Sequence, residues 1–130
     1  MTEHIDWKDL RPGYAELIET FGKAWEQGKP DELASVFTDD GVFSPNPLET
    51  PARGKAAIRV YWKDAPLEQA EVSFRFGEIF VAGPWFSTEI RCTFRRRRSG
   101  KMMDVRGALF CETIDGKIAE MRMYWHRTER

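Results

Sequence analysis

The hydrophobic pattern of this chain changes its period once, near Pro66, and this change constrains the fold more than any other feature. Before Pro66, apolar residues recur every three or four positions, which is typical of one face of a helix. After Pro66, apolar and polar residues alternate, as they do in half-buried strands. A chain of 130 residues has the size of one domain. We therefore expect a single α+β domain over 1–130, with helices followed by an antiparallel sheet.

Three helices are predicted in the first half of the chain. The apolar residues within 13–27 follow helical spacing, and Gly28 is placed to end that helix. Pro30 starts a second, short helix, because the fixed φ of proline suits a first helical turn. A third helix follows Gly54. Residues 1–12 are mostly polar and are predicted to be a flexible or peripheral segment.

The second half is predicted to be an antiparallel meander. Ser99-Gly100 and Asp115-Gly116 are typical of two-residue hairpin turns, and Asp-Gly is the stronger signal. A two-residue turn fixes the register, so Arg98 should pair with Lys101, and Ile114 with Lys117. The predicted strands are 42–44, after a turn at 38–41, then 71–76, 86–98, 101–114 and 117–127.

This register divides the last three strands into two faces. One face is apolar on two strands and gains polar groups on the third, as the wall of a ligand pocket does. A β-bulge would exchange the faces of the residues that follow it. The face predicted to line a pocket consists of Ile90, Cys92, Phe94, Val105, Gly107, Leu109, Cys111, Glu120, Arg122, Tyr124 and His126.

Aromatic residues are abundant, at 13% of the chain, with five Trp, nine Phe and three Tyr. Each ring would bury about 150–250 Å². So many rings in one small domain indicate either a very large core or a cavity lined by rings.

The charge and cysteine content exclude several classes of partner. The formal net charge is −1, so no overall field attracts nucleic acid or an anionic membrane. The charge-free run 79–88 is far shorter than the roughly 20 residues that span a bilayer. Two cysteines and an N-terminus without an apolar stretch favour the reducing cytoplasm. Cys92 and Cys111 are predicted to be free, and the sequence indicates neither a metal site nor a cofactor.

The order of several motifs resembles one known superfamily. A helix ended by Gly28 is followed by FTDDGV at 37–42, GKAAI at 54–58 and DGKI at 115–118. Over residues 13–127 this order is similar to the nuclear transport factor 2-like superfamily, and to its SnoaL-like branch in particular. The resemblance implies a cone-shaped, curved antiparallel sheet with three N-terminal helices that enclose a hydrophobic pocket. Since relatives include isomerases, cyclases, hydrolases and non-catalytic modules, the fold alone leaves the function open.

The resemblance also implies which residues surround that pocket. Each is more often a core residue than a ligand contact when taken singly, yet several should border the cavity. The predicted pocket residues are Phe21, Trp25, Phe37, Asn46, Tyr61, Trp62, Phe74, Ile90, Cys92, Val105, Leu109 and Tyr124.

The catalytic residues of ketosteroid isomerase are absent from the matching positions. The family's aspartate base corresponds to Pro45, its tyrosine to Phe21 and its second aspartate to Ala108 or Leu109. None of these side chains can transfer a proton.

Limonene epoxide hydrolase is matched only slightly better. Its arginine and two aspartates correspond to Ile90, Cys92 and His126, and its first-strand asparagine and tyrosine to Asn46 and Ser44. Only Asn46 agrees with the family pattern.

His126 is the candidate general acid or base, because imidazole titrates near neutral pH, and Tyr124 is a candidate donor. The competing interpretation is a solvated histidine at the end of the last strand. We therefore expect a protein that binds a hydrophobic small molecule. If catalytic, it would be an isomerase, cyclase or hydrolase that uses His126, with Asn46 or Tyr124 orienting the substrate. The alternative is a non-catalytic ligand-binding or dimerisation module.

A run of arginines and an apolar stripe are the two notable surface features of the sequence. The four arginines Arg95, Arg96, Arg97 and Arg98 fall at a hairpin tip, where solvation is favoured over a phosphate or nucleic-acid site. The face opposite the pocket carries an apolar stripe that helices would leave exposed, which is typical of an interface. We expect a homodimer through this stripe, which consists of Phe110, Met121, Met123 and Trp125, with Glu89, Arg91, Asp104 and Arg106 around it.

Overall fold

The helices lie in the first half of the chain, as the periodicity predicts. Gly28 ends the first helix with φ of 64°, a left-handed conformation that favours glycine. The computed structural model describes residues 9–130, and residues 1–8 of the predicted N-terminal segment lie outside the described residues. The helices are α1 (Arg11–Gln27), α2 (Pro30–Ala34), α3 (Lys55–Trp62) and α4 (Ala65–Glu68), of which the four-residue α4 is additional to the three predicted.

Seven strands form one curved, unclosed sheet, which confirms the α+β class. The strand order is β2-β1-β7-β6-β5-β3, and β4 pairs with β5. Neighbours are antiparallel except β1 and β7, which run parallel. The strands are β1 (Phe37–Ser44), β2 (Ala52–Arg53), β3 (Gln69–Phe76), β4 (Phe80–Ala82), β5 (Trp85–Arg96), β6 (Met102–Ile114) and β7 (Lys117–Glu129).

The first strand is longer than predicted, because the segment predicted as a turn at 38–41 belongs to it. The register between β1 and β7 shifts between Phe37 and Val42. This irregularity explains why Asp39, Asp40 and Gly41, which are typical turn residues, occur within a strand.

The β5–β6 hairpin has a longer turn than predicted. The backbone N–H of Arg96 donates to the carbonyl of Lys101 at 2.9 Å, and residues 97–100 form the turn. The predicted pairing of Arg98 with Lys101 is therefore wrong by two residues. Because side chains alternate with a period of two, this shift leaves the predicted faces of β5 and β6 unchanged.

The β6–β7 hairpin begins as predicted, with Ile114 paired to Lys117. Asp115 and Gly116 form its turn with φ of 50° and 77°. Positive φ at both central residues is the geometry of a type I′ turn, and it explains the Asp-Gly pair.

A β-bulge then interrupts this hairpin. Thr113 pairs with Ile118, but Glu112 pairs with Glu120, so Ala119 is an extra residue on β7. One extra residue exchanges the two faces of the strand beyond it. The predicted faces of β7 are therefore wrong from Glu120 onward.

The bulge turns the apolar residues of β7 inward. Met121 and Met123 are buried, and Trp125 packs against the core. Tyr124 and His126 are exposed on the outer face. Three of the four residues predicted for a dimer surface are thus in the interior.

The core lies between the inner face of the sheet and the helices. Gly22 on α1 allows close packing on β3, since a Cβ there would lie 2.2 Å from Cδ1 of Phe74. Cys92 and Cys111 are buried and free, as predicted. Burial, together with the charge of Glu26, raises the pKa of Cys92 to about 12. Within residues 9–130, no helix combines the length and apolarity that crossing a membrane requires.

Candidate functional site

A cavity of about 390 Å³ lies between the inner face of the sheet and the helices α3 and α4. Residues from α1, the loop after β1, and strands β5 to β7 also contribute to its wall. Six aromatic rings line it, and they belong to Trp25, Phe43, Tyr61, Trp62, Phe94 and Trp125.

The rings hold one another in place. The centroids of Trp25 and Trp62 are 4.9 Å apart at an interplanar angle of 64°. Phe43 packs against both neighbours on α3, at 5.2 Å from Tyr61 and 5.5 Å from Trp62. Edge-to-face contacts of this kind are worth about 0.5–1.5 kcal/mol beyond the buried area. The aromatic wall is therefore preformed.

The three indole N–H groups of the wall differ in their partners. Trp25 Nε1 donates to Gln69 Oε1 at 2.8 Å, and Trp125 Nε1 donates to the Pro45 carbonyl at 2.6 Å. The buried Nε1 of Trp62 has no hydrogen-bond partner among residues 9–130. A buried donor without a partner costs about 1–3 kcal/mol. Trp62 thus has the one buried indole donor among these three that lacks a partner in the described residues.

Charged groups surround the rings. Glu49, Asp64, Glu68 and Arg127 line the same cavity. Burial raises the pKa of Tyr61 to about 12, and the carboxylates of Glu49 and Glu68 add to the shift. The phenol of Tyr61 therefore stays protonated at neutral pH and remains able to donate a hydrogen bond.

The structure distributes the predicted pocket residues over three environments. Trp25, Tyr61, Trp62 and Val105 line the cavity. Tyr124 is on the outer face. The remaining apolar ones belong to the core or pack against it, and they are Phe21, Phe37, Phe74, Ile90, Cys92 and Leu109.

Asn46 organises the loop after β1 instead of lining the cavity. Its Oδ1 accepts the backbone N–H groups of Leu48 at 2.9 Å and Glu49 at 3.1 Å. Its Nδ2 donates to the carboxylate of Glu49. Asn46 therefore positions a cavity residue through an Asx turn.

The predicted position of His126 in the cavity is wrong. His126 pairs with Arg106 across the β6–β7 ladder, and its side chain is exposed on the outer face. Tyr124 lies on the same face, with its ring 5.7 Å from that of Phe110. The physical reason is the extra residue at Ala119, which exchanges the faces of β7.

Several cavity residues are missed by sequence reasoning. Met123, Trp125 and Arg127 face inward because of the bulge. Its signal in the sequence is the alternation of apolar residues from Met121 to Trp125, which is out of step with Ile118. The acidic residues come from the irregular segments around α4 and after β1, where no period assigns a face. Those residues are Glu49, Asp64 and Glu68.

The outer face carries an ion-pair network in which a buried aspartate is covered by two solvent-accessible arginines. Asp104 is only 6% exposed, because Arg91 and Arg106 lie across it. Each guanidinium donates to its carboxylate at 3.1 Å. These hydrogen bonds lower the pKa of Asp104 to about 2. Of the residues predicted for a dimer stripe, Phe110 alone lies beside this network on the outer face.

Comparison with solved structures places this fold among small enzymes and related proteins. A hypothetical protein from Catenulispora acidiphila with a ketosteroid isomerase-like fold is similar at a TM-score of 0.77 and 17% identity, covering 84% of either chain. The Δ5-3-ketosteroid isomerase from a Mycobacterium species is similar at a TM-score of 0.74 and 21% identity, covering 92% of this chain and 99% of that one.

An epoxide hydrolase from M. tuberculosis, similar to limonene epoxide hydrolase, shares the fold at a TM-score of 0.75 and 17% identity. The match covers 91% of this chain and 86% of that chain. No curated protein matches this sequence. The family model of the SnoaL-like domain matches residues 18–121. Since this match spans most of the sequence, the chain belongs to the SnoaL-like family.

Proposed function

We propose that this protein binds a small, largely apolar organic molecule in the cavity between α3, α4 and the sheet. The observation that carries this proposal is the preformed wall of six aromatic rings around about 390 Å³. Ligand pockets have volumes of about 300–1,000 Å³, with apolar walls and a few polar groups. Ring faces favour a flat or aromatic ligand, because stacked and edge-to-face contacts both reward planarity.

Titration with 2-naphthylacetamide, a neutral planar probe, tests this proposal. Ala65 lines the cavity, so Ala65→Trp should fill part of it and weaken binding by at least about 10-fold, which corresponds to roughly 1.4 kcal/mol. Ala56 is exposed on α3, so Ala56→Trp is the matched control and should bind as the parent protein does. Calorimetry measures both affinities. Equal affinity for the parent and Ala65→Trp would place the ligand elsewhere.

Catalysis is the second candidate, and the observation that favours it is the presence of three carboxylates on the cavity wall. Glu49, Asp64 and Glu68 can serve as general bases or acids, and such groups contribute about 10²–10⁴-fold. Proteins of similar fold include a ketosteroid isomerase and an epoxide hydrolase. In this scheme the chemistry is an isomerase, cyclase or hydrolase reaction at a cavity carboxylate and not at His126.

A Δ5-3-ketosteroid and an epoxide are suitable trial substrates for the catalytic scheme. If either is turned over, Glu68→Gln, Asp64→Asn or Glu49→Gln should lower kcat by at least 10²-fold. His126→Ala should leave kcat unchanged, since His126 is on the opposite face. Binding without turnover of any trial substrate would favour the non-catalytic alternative.

We also propose a homodimer, through the outer face of the sheet. Phe110 and Tyr124 are 44% and 42% exposed there and form an aromatic pair. Phe110→Glu would place a charge on that patch, which should shift the species in sedimentation towards the 15.1 kDa monomer. A parent protein that is already monomeric at micromolar concentration would refute the dimer.

The two buried free thiols are consistent with the reducing cytoplasm as the compartment of this protein.

A further inference from the structure

We infer that Arg96, Arg98 and Arg127 form an oxyanion subsite beside the aromatic cavity, and that the natural ligand is therefore an amphipathic anion. Its planar apolar body would lie among the rings, and its carboxylate or phosphate would meet the arginines. This inference rests on the proposed binding function and adds the charge and orientation of the ligand.

The arginine run divides into two pairs with different surroundings. Arg95 donates through Nε to the carboxylate of Glu71 at 3.0 Å, and Arg97 donates through Nε to the carbonyl of Pro66 at 2.9 Å. These two side chains connect the hairpin to the neighbouring strand β3 and to α4. Their contacts within the fold account for their presence.

Arg96 and Arg98, in contrast, form neither a side-chain hydrogen bond nor an ion pair in the part of the chain that the structure describes, and neither does Arg127. All three line one groove of about 450 Å³. Arg127 reaches it because the bulge at Ala119 turns the odd-numbered residues of β7 inward. Strands β5 and β7 and the turn between β5 and β6 thus bring three guanidinium groups without an ion pair to one groove.

This groove adjoins the aromatic cavity, and the two share part of their walls. Glu68, Gln69, Phe94 and Arg127 line both. A single molecule can therefore contact the ring of Phe94 and the arginines together.

The charges that line the cavity and the groove favour one orientation of an anionic ligand. The groove holds three arginines against one carboxylate, that of Glu68. Two further carboxylates, Glu49 and Asp64, line the aromatic cavity and not the groove. An anionic group is repelled by those carboxylates and attracted by the arginines. Guanidinium groups match carboxylate and phosphate oxygens in pairs, which suits either oxyanion.

Three naphthalene probes of the same body test the inference. 2-Naphthylacetate carries a carboxylate, 2-naphthylacetamide is its neutral isostere, and 2-naphthyl phosphate carries a phosphate. Calorimetry with the full chain at low salt measures all three affinities. The acetate or the phosphate should bind more tightly than the amide, and the tighter of the two identifies the oxyanion. Equal binding of all three in the parent protein would overturn the inference.

Two double variants with the same net charge separate a local subsite from a general field. Arg96→Gln with Arg98→Gln should reduce affinity for the preferred anion by roughly 2- to 30-fold and leave the amide unchanged. Arg95→Gln with Arg97→Gln removes the same charge from the paired arginines and should leave the ratio of anion to amide affinity unchanged. An equal loss in both double variants would overturn the inference, since it would indicate only a long-range field.

Two further measurements keep the test decisive if a double variant does not fold, which thermal melting would reveal. Arg127→Gln, on another strand, should lower the same ratio. Raising the salt concentration should lower it in the parent protein, because partly exposed charges are screened. A ratio insensitive to both would refute the subsite. Failure of every probe to bind, the amide included, would instead refute the proposed binding function.

Discussion

The two faces of strands β5 to β7 share one backbone but differ in the polarity of their side chains. The inner face carries aromatic and aliphatic side chains that line a cavity or pack in the core. The outer face carries the Arg91–Asp104–Arg106 network and the pair formed by Phe110 and Tyr124. The inner face is therefore suited to bind an apolar ligand, whereas the outer face is a polar surface with one aromatic patch.

What separates the two faces on β7 is a single residue. If Ala119 were paired with Glu112 in a regular ladder instead of bulging, Tyr124 and His126 would face the cavity, and Trp125 would face outward. The candidate chemistry of the cavity thus depends on a backbone irregularity more than on which residue types the strand contains.

Truncating the inward methionines of β7 should have the largest effect on this division. Met121→Ala with Met123→Ala removes two buried side chains of the inner face. Each truncation costs about 2–5 kcal/mol, so the double variant should lose at least about 4 kcal/mol. Urea unfolding followed by circular dichroism measures this loss.

Arg122→Ala with His126→Ala, at exposed positions on the outer face of the same strand, is the control. It should cost less than about 2 kcal/mol, since exposed side chains and their ion pairs contribute little. If this control lost more stability than the methionine variant, the bulge at Ala119 would not determine the faces.

Two adjacent residues on β6 compare the faces directly. Leu109→Ala should cost about 2–5 kcal/mol, because Leu109 is fully buried on the inner face. Phe110→Ala should cost less, about 1–2.5 kcal/mol, because its ring is only about half buried and has one aromatic contact, with Tyr124. Chemical denaturation of both variants is the measurement. A larger loss for Phe110→Ala than for Leu109→Ala would reverse the assignment of the faces.

The outer network should make stability depend on acid pH. The pKa of Asp104 is lowered to about 2 in the folded protein, from about 3.9 for an unfolded chain. Its contribution is therefore present above pH 4 and is lost as the pH falls towards 2. Unfolding titrations should show a shallower acid decline for Asp104→Asn than for the parent protein. Identical slopes would mean that the carboxylate gains nothing from Arg91 and Arg106.

His126→Ala should have the smallest effect of these changes. The side chain is exposed on the outer face, so stability should change by no more than about 0.5 kcal/mol. Affinity for 2-naphthylacetamide should be unchanged as well, because the probe binds on the other side of the sheet. A clear loss of affinity would restore His126 as a cavity residue.

Sequence reasoning predicts the elements of this fold well. Long periodic segments identify α1, and Asp115-Gly116 specifies the turn before β7, because these signals are local. The predicted faces of β5 and β6 also agree with the structure, although their register is wrong by two residues, since such a shift preserves the alternation.

The cavity is predicted less well, for two physical reasons. The position of a bulge is set by the packing around it, and its signal in the sequence is weak, since the apolar residues from Met121 onward are merely out of step with Ile118. The acidic residues lie in irregular segments, where only the folded chain determines which side chains meet. The environments of the four consecutive arginines could not be predicted for the same reason. The sequence does not show that Arg95 and Arg97 bond to Glu71 and Pro66, or that Arg96 and Arg98 line a groove.

The parallel pairing of β1 with β7 also affects the order in which the protein can be built. Ser44 on β1 pairs with Arg122 on β7, so this pairing joins two segments that are far apart in the sequence. Contacts between distant segments require a costly loop closure and slow folding. During synthesis, β1 has only the two-residue β2 as a partner until the last strand emerges. A chain that stops before β7 would therefore leave a strand edge and apolar core residues exposed to solvent. Addition of β7 covers both, and it should protect the nascent protein from aggregation.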